Sequence, residues 1–256
     1  AKASASKTER SEAQAALGAA AEPPIRLVKI GGANALEAGG ETVMFRHEKT
    51  FYNKPGIFIR IHDDLPDEKI RALVEEVADY EVDYVGIPLT VDGFAIEATG
   101  DGERFAEVVN TVLSVGHRPL VLITEDPDIM AKGLGAAGDT RPLVYGATAD
   151  DWQPFAELAK EHKAPMAVRA ASLSDLATLT QEIQDAGVKD IVLDHGVRDM
   201  ASSLALQTQL RRLALKSNFR PLGFPIISFP GECVEDPGMA TIAAAQALTK
   251  YAGFVV

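Results

Sequence analysis

Eight short apolar segments recur along most of this chain, and their alternation with helical patterns most constrains its fold. Each segment is bounded by turn residues and is apolar throughout, which is typical of strands buried on both faces. The candidate strands are Gly56 to His62, Tyr84 to Leu89, Leu120 to Thr124, Leu143 to Thr148, Met166 to Ala170, Ile191 to Asp194, Pro225 to Phe229 and Ala252 to Val256.

Amphipathic helical patterns occupy the segments between these strands. Strands that alternate with helices form right-handed parallel βαβ units, and eight such units in roughly 200 residues fit a closed barrel better than an open sheet. The sequence therefore predicts an α/β fold, a TIM (β/α)8 barrel over residues 55–256. The signals for the helices are apolar stripes (Ile70, Leu73, Val74, Val77; Phe105, Val108, Val109, Val112), caps (Asp150 or Asp151, Ser172 with Asp175, Asp199) and terminating glycines (Gly116, Gly138, Gly187).

Two shorter segments precede the predicted barrel. Residues 1–22 are rich in Ala, Ser, Lys and Glu, and we interpret them as a linker. Residues 23–54 contain short apolar runs broken by glycine pairs, which indicates an N-terminal hairpin segment. The sequence stops inside the predicted eighth strand, so the eighth helix is absent from this chain and we expect the parent chain to continue.

The composition argues against several classes of protein. The 256 residues include 37 acidic and 25 basic side chains, a net charge of −12, which repels phosphate backbones and anionic lipids. We therefore expect no nucleic-acid partner and no membrane association, and the absence of a long apolar run suggests a cytoplasmic protein. Cys233 is the single cysteine, which excludes an internal disulfide and a cysteine-bound cluster or zinc site within this chain.

Polar side chains follow most of the predicted strands, where the active sites of TIM barrels lie. An acidic barrel mouth suits a cation, a pterin-like heterocycle or a basic partner surface, although residues such as Asp126 and Asp150 are equally explained as helix caps. The candidate cofactor-binding residues are Asp63, Asp92, Arg169, Asp194, His195 and Ser228, and the further strand-end residues are Asp64, Thr90, Glu125, Asp126, Thr148, Asp150 and Glu232.

Two local motifs have catalytic or nucleotide-binding interpretations. His195, beside Asp194 at a strand end, has the chemistry of a general base, although a histidine held in a loop by hydrogen bonds is the commoner case. Residues 133–138 match G-x-G-x-x-G, but they end a helical stretch and precede a strand, the reverse of the order in a dinucleotide fingerprint. We assign no residue as catalytic and none as a metal ligand.

Four segments resemble a known family. Gly40 to Asn53 (GETVMFRHEKTFYN) is similar to a signature that precedes the barrel in the large (gamma) subunit of the corrinoid iron-sulfur protein of acetyl-CoA decarbonylase/synthase systems. Pro23 to Val28, Arg141 to Thr148 and Phe219 to Pro225 resemble the same family. The resemblance covers about residues 23–256 and includes only the central barrel region of the family's large subunit.

The resemblance implies a scaffold within a methyl carrier. In that family an N-terminal domain binds a [4Fe-4S] cluster through four cysteines and a C-terminal domain binds cobalamin, and neither domain is present here, so no cofactor is expected in this chain alone. Cobalt would accept a methyl group from a methyltetrahydropterin through a methyltransferase and deliver it to acetyl-CoA synthase, in anaerobic carbon fixation. The implied partners are the small (delta) subunit, as a heterodimer, the methyltransferase and acetyl-CoA synthase.

The sequence also contains one charged cluster with two interpretations, and it allows two alternative functions. The cluster Arg46-His47-Glu48-Lys49 is interpreted as a plug at the closed end of the barrel, with a surface contact as the alternative. A stand-alone pterin-binding methyltransferase would use Asp63, Asp194 and groups near Ser228, but no predicted strand end offers an Asn for a pterin edge. A barrel enzyme for a phosphorylated metabolite would need glycine-rich loops after strands seven and eight, of which only the first is visible.

Overall fold

The computed structural model describes residues 22–45, 48–49 and 53–256. Its strands are β1 (Val28–Ile30), β2 (Leu36–Ala38), β3 (Gly56–His62), β4 (Glu81–Tyr84), β5 (Ile87–Thr90), β6 (Gly93–Glu97), β7 (Leu120–Ile123), β8 (Leu143–Ala147), β9 (Met166–Arg169), β10 (Ile191–Asp194), β11 (Ile226–Ser228) and β12 (Ala252–Val255). Strands β3 and β6 to β12 form a closed parallel barrel. The predicted TIM barrel is confirmed.

Seven α-helices lie among the described residues: α1 (Asp67–Asp79), α2 (Gly102–Val115), α3 (Pro127–Ala137), α4 (Trp152–Glu161), α5 (Leu173–Asp185), α6 (Met200–Lys216) and α7 (Pro237–Thr249). The predicted apolar stripes are buried at Ile70, Val74 and Val77 of α1 and at all four positions of α2, where they cover the barrel. None of the helices within the described ranges has both the length and the apolar composition to cross a membrane.

The predicted caps are observed at two helices and differ at a third. Ser172 caps α5 by accepting a hydrogen bond from the Asp175 amide, and Asp199 caps α6 by accepting one from the Ser202 amide. Asp151 occupies the N-cap position of α4, but its carboxylate accepts from the amide and hydroxyl of Thr148 instead of from the helix.

The last strand closes the barrel against the first. β12 pairs in parallel with β3, placing Phe254 opposite Gly56 and Val255 opposite Ile57. The rings of Phe58 and Phe254 pack edge to face with their centroids 6.1 Å apart. Aromatic pairs in this geometry add to the stability that burial alone provides, so the closing seam is part of the apolar core.

The second predicted strand is wrong. Residues 84–89 do not enter the barrel; they span the turn of an exposed hairpin formed by β4 and β5. The barrel strand is β6, which begins nine residues after the predicted start. The hairpin alternates apolar and polar residues as a half-buried strand does, whereas β6 is short and begins and ends with Gly93 and Glu97. Because Asp92 precedes β6, it lies at the amino end of the barrel and not at the mouth.

The N-terminal segment contains the predicted hairpin and covers the amino end of the barrel. β1 and β2 pair antiparallel from Val28 opposite Ala38 to Ile30 opposite Leu36. The Gly31 amide donates to the Arg141 carbonyl, just before β8, at 2.9 Å. Arg46 and His47 lie outside the described residues, as do residues 1–21 of the predicted linker, so the plug at residues 46–49 and the linker stay predictions.

Candidate functional site

A cleft of about 680 Å³ opens where the barrel strands end. It lies over the carboxyl ends of β3 and β6 to β9 and is bordered by the turn after β11. Its charged lining residues are Arg60, Glu97, Glu125, Asp126, Arg169 and Glu232. This is the end of a TIM barrel where ligands and reactions are found, which makes the cleft the candidate site.

Ion pairs link opposite sides of this mouth. Arg60, on β3, donates to Glu97 of β6 at 2.6 Å and to Glu232 of the turn after β11 at 2.7 Å. The second oxygen of Glu232 accepts from Nε of Arg198. One glutamate therefore joins arginines from two separate parts of the barrel rim.

Arg198 also makes a paired contact with the end of β10. Its two terminal nitrogens donate to the two oxygens of Asp194, each at 2.8 Å. The hydroxyl of Tyr145, on β8, donates to Oδ2 of Asp194 at 2.6 Å, and the Gly196 amide donates to Oδ1 at 2.8 Å. We call Arg60, Glu97, Tyr145, Asp194, Arg198 and Glu232 the mouth network.

An aromatic ring supports this network. The centroid of Phe229 lies 4.9 Å from that of Tyr145 and 5.0 Å from the guanidinium carbon of Arg198. Arg60 lies over the same ring at 5.7 Å. Two cations on one ring form cation–π contacts that add to their ion pairs, so the arginine side chains are held on three sides.

Burial and neighbouring charges determine the protonation states of Asp194 and Tyr145. Burial alone would raise the pKa of the Asp194 carboxyl, but hydrogen bonds and the positive charge of Arg198 outweigh it and hold that pKa below its ordinary value. The pKa of the Tyr145 hydroxyl is raised by burial and by the adjacent Asp194 charge. The network thus contains an ionised carboxylate and a neutral phenol near neutral pH.

His195 and Ser228 lie beside the mouth network and not within it. The His195 ring is buried between β10 and α6: the Val197 amide donates to its Nδ1 at 3.2 Å, and Ser203 Oγ lies 3.2 Å from its Nε2. Ser228 Oγ accepts from Gln207 at 3.0 Å. Burial lowers the pKa of His195, so the ring is neutral near neutral pH, and its hydrogen bonds link the end of β10 to α6.

Asp63, Asp92 and Arg169, the other candidate residues, are in three different environments. Asp63 is fully buried, and its Oδ1 accepts from the amide and hydroxyl of Thr99 at 2.9 and 2.6 Å. Its Oδ2 has no hydrogen-bond partner among the described residues. Arg169 pairs with Glu125 in the cleft, while Asp92 pairs with Lys54 at the opposite end of the barrel.

Four residues of the mouth network, Arg60, Glu97, Tyr145 and Arg198, were not anticipated from the sequence. Arg198 stands four residues after Asp194, a spacing that brings side chains together on a helix and that could have indicated the pair. Tyr145 and Arg60 lie inside predicted strands, where nothing in the sequence distinguishes a residue of the rim from one of the core. Phe229, which supports them, reads as an ordinary apolar strand residue.

The described residues do not fit the inorganic groups implied by the resemblance. A [4Fe-4S] cluster requires four thiolates, and the chain has one cysteine. No group of three or more His, Cys, Asp or Glu side chains in the described part of the chain is arranged to hold a metal ion. The mouth offers hydrogen bonds and charge, and arginines already engage its carboxylates at Glu97, Glu125, Asp194 and Glu232.

Several solved structures with this shape are dihydropteroate synthases. Dihydropteroate synthase from Thermus thermophilus superimposes with a TM-score of 0.60 at 19% identity, covering 90% of this chain and 92% of that one. The enzyme from Vibrio fischeri gives 0.61 at 13% identity, covering 89% and 91%. At such identities the likeness defines the fold class, a TIM barrel of the dihydropteroate synthase shape, and nothing more.

Sequence comparison identifies the family. Residues 25–256 match the family model described as CO dehydrogenase/acetyl-CoA synthase delta subunit, and this chain belongs to that family. The corrinoid/iron-sulfur protein large subunit of Moorella thermoacetica is 39% identical over 246 residues, 95% of this chain and 55% of that protein. The acetyl-CoA decarbonylase/synthase complex subunit gamma of Archaeoglobus fulgidus is 44% identical over 174 residues, 67% and 37%.

These relatives confirm the resemblance seen in the sequence. The family model carries the name of the delta subunit, whereas both relatives are named as the gamma or large subunit. The chain spans about half or less of the length of these relatives. The chain is thus similar to one part of these longer subunits, and it belongs to the family that the model defines.

Proposed function

We propose that this chain is the barrel scaffold of a corrinoid iron-sulfur methyl-carrier subunit. The whole subunit would accept a methyl group from a methyltetrahydropterin through a methyltransferase and deliver it to acetyl-CoA synthase in the cytoplasm. Cobalamin and the [4Fe-4S] cluster would be held by domains outside this chain. Support comes from the relationship to the Moorella thermoacetica large subunit, which extends over 95% of the chain.

The observation that carries the scaffold role is the internal pairing of the barrel mouth. Asp194, at the end of β10, is fully buried and accepts from Arg198, Tyr145 and the Gly196 amide. Arg60 and Glu232 are engaged with each other. A ligand would have to replace these charge-assisted bonds, which are stronger than neutral ones, so the network is better suited to holding strands together.

The proposed partners are the small (delta) subunit, as a heterodimer, the methyltransferase and acetyl-CoA synthase. A methyl carrier must present one cofactor to several proteins in turn. Cofactors on tethered domains around a rigid barrel meet that need, because tethering raises the effective concentration of each domain at its partners.

Ligand binding separates the scaffold from a catalytic barrel. The purified chain is titrated with methyltetrahydrofolate by isothermal calorimetry, and in parallel with the small subunit by size-exclusion chromatography with light scattering. We expect a one-to-one complex with the small subunit and no heat from the pterin up to millimolar concentration. Saturable pterin binding without a subunit complex would contradict the scaffold role.

A stand-alone pterin-binding methyltransferase is the second candidate, and one observation favours it. Oδ2 of Asp63 is buried without a hydrogen-bond partner among the described residues, and Thr99, which binds its other oxygen, lines the cleft. A pterin amino group could donate to such an oxygen. If pterin binding is observed, Asp63→Asn should weaken it more than Glu125→Gln, since Glu125 is largely exposed.

A further inference from the structure

The N-terminal hairpin packs against the seam at which the barrel closes. β12 and β3 form this seam, and β2 lies against both strands. A Cβ added at Gly56, the first residue of β3, would lie 2.1 Å from Cδ2 of Leu36. One added at Gly253, in β12, would lie 2.9 Å from the Cβ of Ala38. Because a side chain at either position would collide with β2, the two glycines allow the hairpin to approach the seam closely.

The seam is held by few strand contacts of its own. β12 pairs with β3 at two positions, whereas β3 pairs with β6 at five. On the other side of β12, its pairing with β11 shifts register between Ile226 and Ile227, and such an irregularity disrupts the ladder locally. Segments with few contacts open at a lower free energy than the rest of a fold. Contacts from outside the sheet therefore matter for keeping β12 in place.

A buried ion pair ties the segment after β2 to the start of β12. Arg211, in α6, is 3% exposed; its Nη2 donates to the carbonyl of Tyr251, just before β12, at 3.0 Å and to Oε1 of Glu41 at 3.4 Å. Nη1 of Arg211 and Oε2 of Glu41 are buried without a hydrogen-bond partner among the described residues. Loss of either partner would leave the other charge uncompensated in the interior, so the pair favours one position of Glu41 relative to β12.

The same segment is anchored on both sides of β12. The Arg26 amide donates at 2.9 Å to the carbonyl of Gly223, three residues before β11. Nδ2 of Asn53, three residues before β3, donates at 3.0 Å to the carbonyl of Gly39, just after β2. β11 and β3 are the two neighbours of β12 in the barrel. The segment therefore spans the amino end of the barrel at the place where the last strand enters.

We infer that residues 22–45 and 53–54, which we call the N-terminal clasp, hold β12 in the barrel and so keep the barrel closed. The clasp is synthesised before any barrel strand, whereas β12 is the last strand made. β2 and Glu41, together with Arg211 of α6, thus provide a surface on which β12 docks. The clasp is a conformational device of the fold, and the inference does not depend on the proposed function.

Hydrogen exchange followed by mass spectrometry tests the clasp in the full chain. In Glu41→Gln the charge of Arg211 stays buried without its partner, so we expect the amides of residues 252–255 and 56–62 to exchange at least roughly tenfold faster. Those of β8 and β9, far from the seam, should keep their rates. The matched control is Glu37→Gln: Glu37 lies in β2 but pairs at the surface with Lys29, and its loss should leave every rate unchanged.

A second pair of substitutions tests the contact between β2 and the seam directly. Gly56→Ala and Leu36→Ala should each speed exchange of residues 252–255, the first by collision and the second by loss of packing. Leu36→Ala also removes the atoms that the new Cβ would meet. The double variant should therefore exchange no faster than Leu36→Ala alone, and circular dichroism checks that each variant keeps the barrel.

The outcomes distinguish a clasp from ordinary stabilisation. Faster exchange confined to the seam in Glu41→Gln, and absent in Glu37→Gln, would support the inference. Unchanged exchange at the seam would overturn it, and so would acceleration of the same size in β8 and β9, which would show a loss of global stability instead. If Glu41→Gln does not fold, the substitutions at Leu36 and Gly56 decide: effects that multiply in the double variant would overturn the inference.

Discussion

Tyr145 and Asp194, on strands separated by β9, are joined by a buried hydrogen bond of 2.6 Å from the phenol to Oδ2 of the carboxylate. Arg198 donates to the same oxygen at 2.8 Å and to its neighbour at the same distance. The positive charge of Arg198 offsets the free-energy cost of keeping the Asp194 carboxylate charged in the protein interior. That dependence yields two testable consequences.

Removal of the arginine should destabilise the barrel strongly. In Arg198→Met the Asp194 carboxylate stays buried without a cationic partner, for which the expected loss in the free energy of unfolding is about 3–5 kcal/mol. Urea denaturation followed by circular dichroism measures the change. The double variant Asp194→Asn with Arg198→Met should recover much of the loss, and an additive effect of the two substitutions would contradict this account.

The same pair predicts how stability changes in acid. The pKa of Asp194 is lower in the folded protein than the ordinary carboxyl value of about 4. Its contribution is therefore fully present above that value and is lost as the pH falls through the lower folded pKa. The difference in unfolding free energy between the wild type and Asp194→Asn should be constant above about pH 5 and shrink below pH 4. A difference that does not change between pH 7 and 3 would refute the prediction.

His195 predicts a second pH dependence in a different range. Burial lowers the pKa of its ring, so the unfolded chain binds a proton at a higher pH than the folded protein does. Stability from this residue is present above the ordinary histidine value of about 6.5 and falls below it. His195→Asn, which can still accept from the Val197 amide, should flatten the change in unfolding free energy between pH 7.5 and 5.5. Nitrogen-15 NMR should show a neutral ring protonated at Nε2.

Two glycines of the G-x-G-x-x-G string provide a matched pair of substitutions. A Cβ added at Gly133 would lie 2.3 Å from Cε1 of the buried Phe105, whereas one at Gly135 would meet nothing within 4 Å. Gly133→Ala should cost about 1–3 kcal/mol through overpacking of α2 against α3. Gly135→Ala should stabilise α3 by up to about 1 kcal/mol. Thermal unfolding of both variants measures the difference between their effects on stability. Equal effects would show that helix preference, and not packing against Phe105, determines the stability change.

The structural roles of Gly133 and Gly138 explain why residues 133–138 match a nucleotide-binding motif. Gly133 allows two helices to approach, and Gly138 ends α3 with a positive φ of 56°. Both roles are structural, and that of Gly138 as a helix end was predicted from the sequence. The neighbouring contact between Gly133 and Phe105 was not, because it depends on how two helices are placed against one sheet.

The sequence predicted the barrel because its strands are buried on both faces and are separated by amphipathic helices. It failed at β6 for a local reason: the exposed hairpin has the stronger strand pattern, and its apolar side chains do not reveal that they lie outside the core. Because the second strand was misplaced, Asp92 was predicted at the carboxyl end of the barrel, whereas it lies at the amino end.

The candidate site was predicted in part. Asp194, Arg169 and Glu232 were found because polar residues after parallel strands meet at one end of a barrel. The partners that fix their roles were not found, since Arg60 and Glu232 are separated by 172 positions. Whether a carboxylate is free or paired depends on such distant contacts, which no local pattern encodes.

The pairing of β12 with β3 has a consequence for synthesis of the protein. Without Ala252–Val255 the other seven strands of the barrel would leave an open sheet, with β3 at one edge and β11 at the other. Unpaired edges are templates for association with other chains. Until its last strand is added, the barrel therefore has two unpaired edges that can associate with other chains. A chaperone that shields β3 would be most useful at that stage.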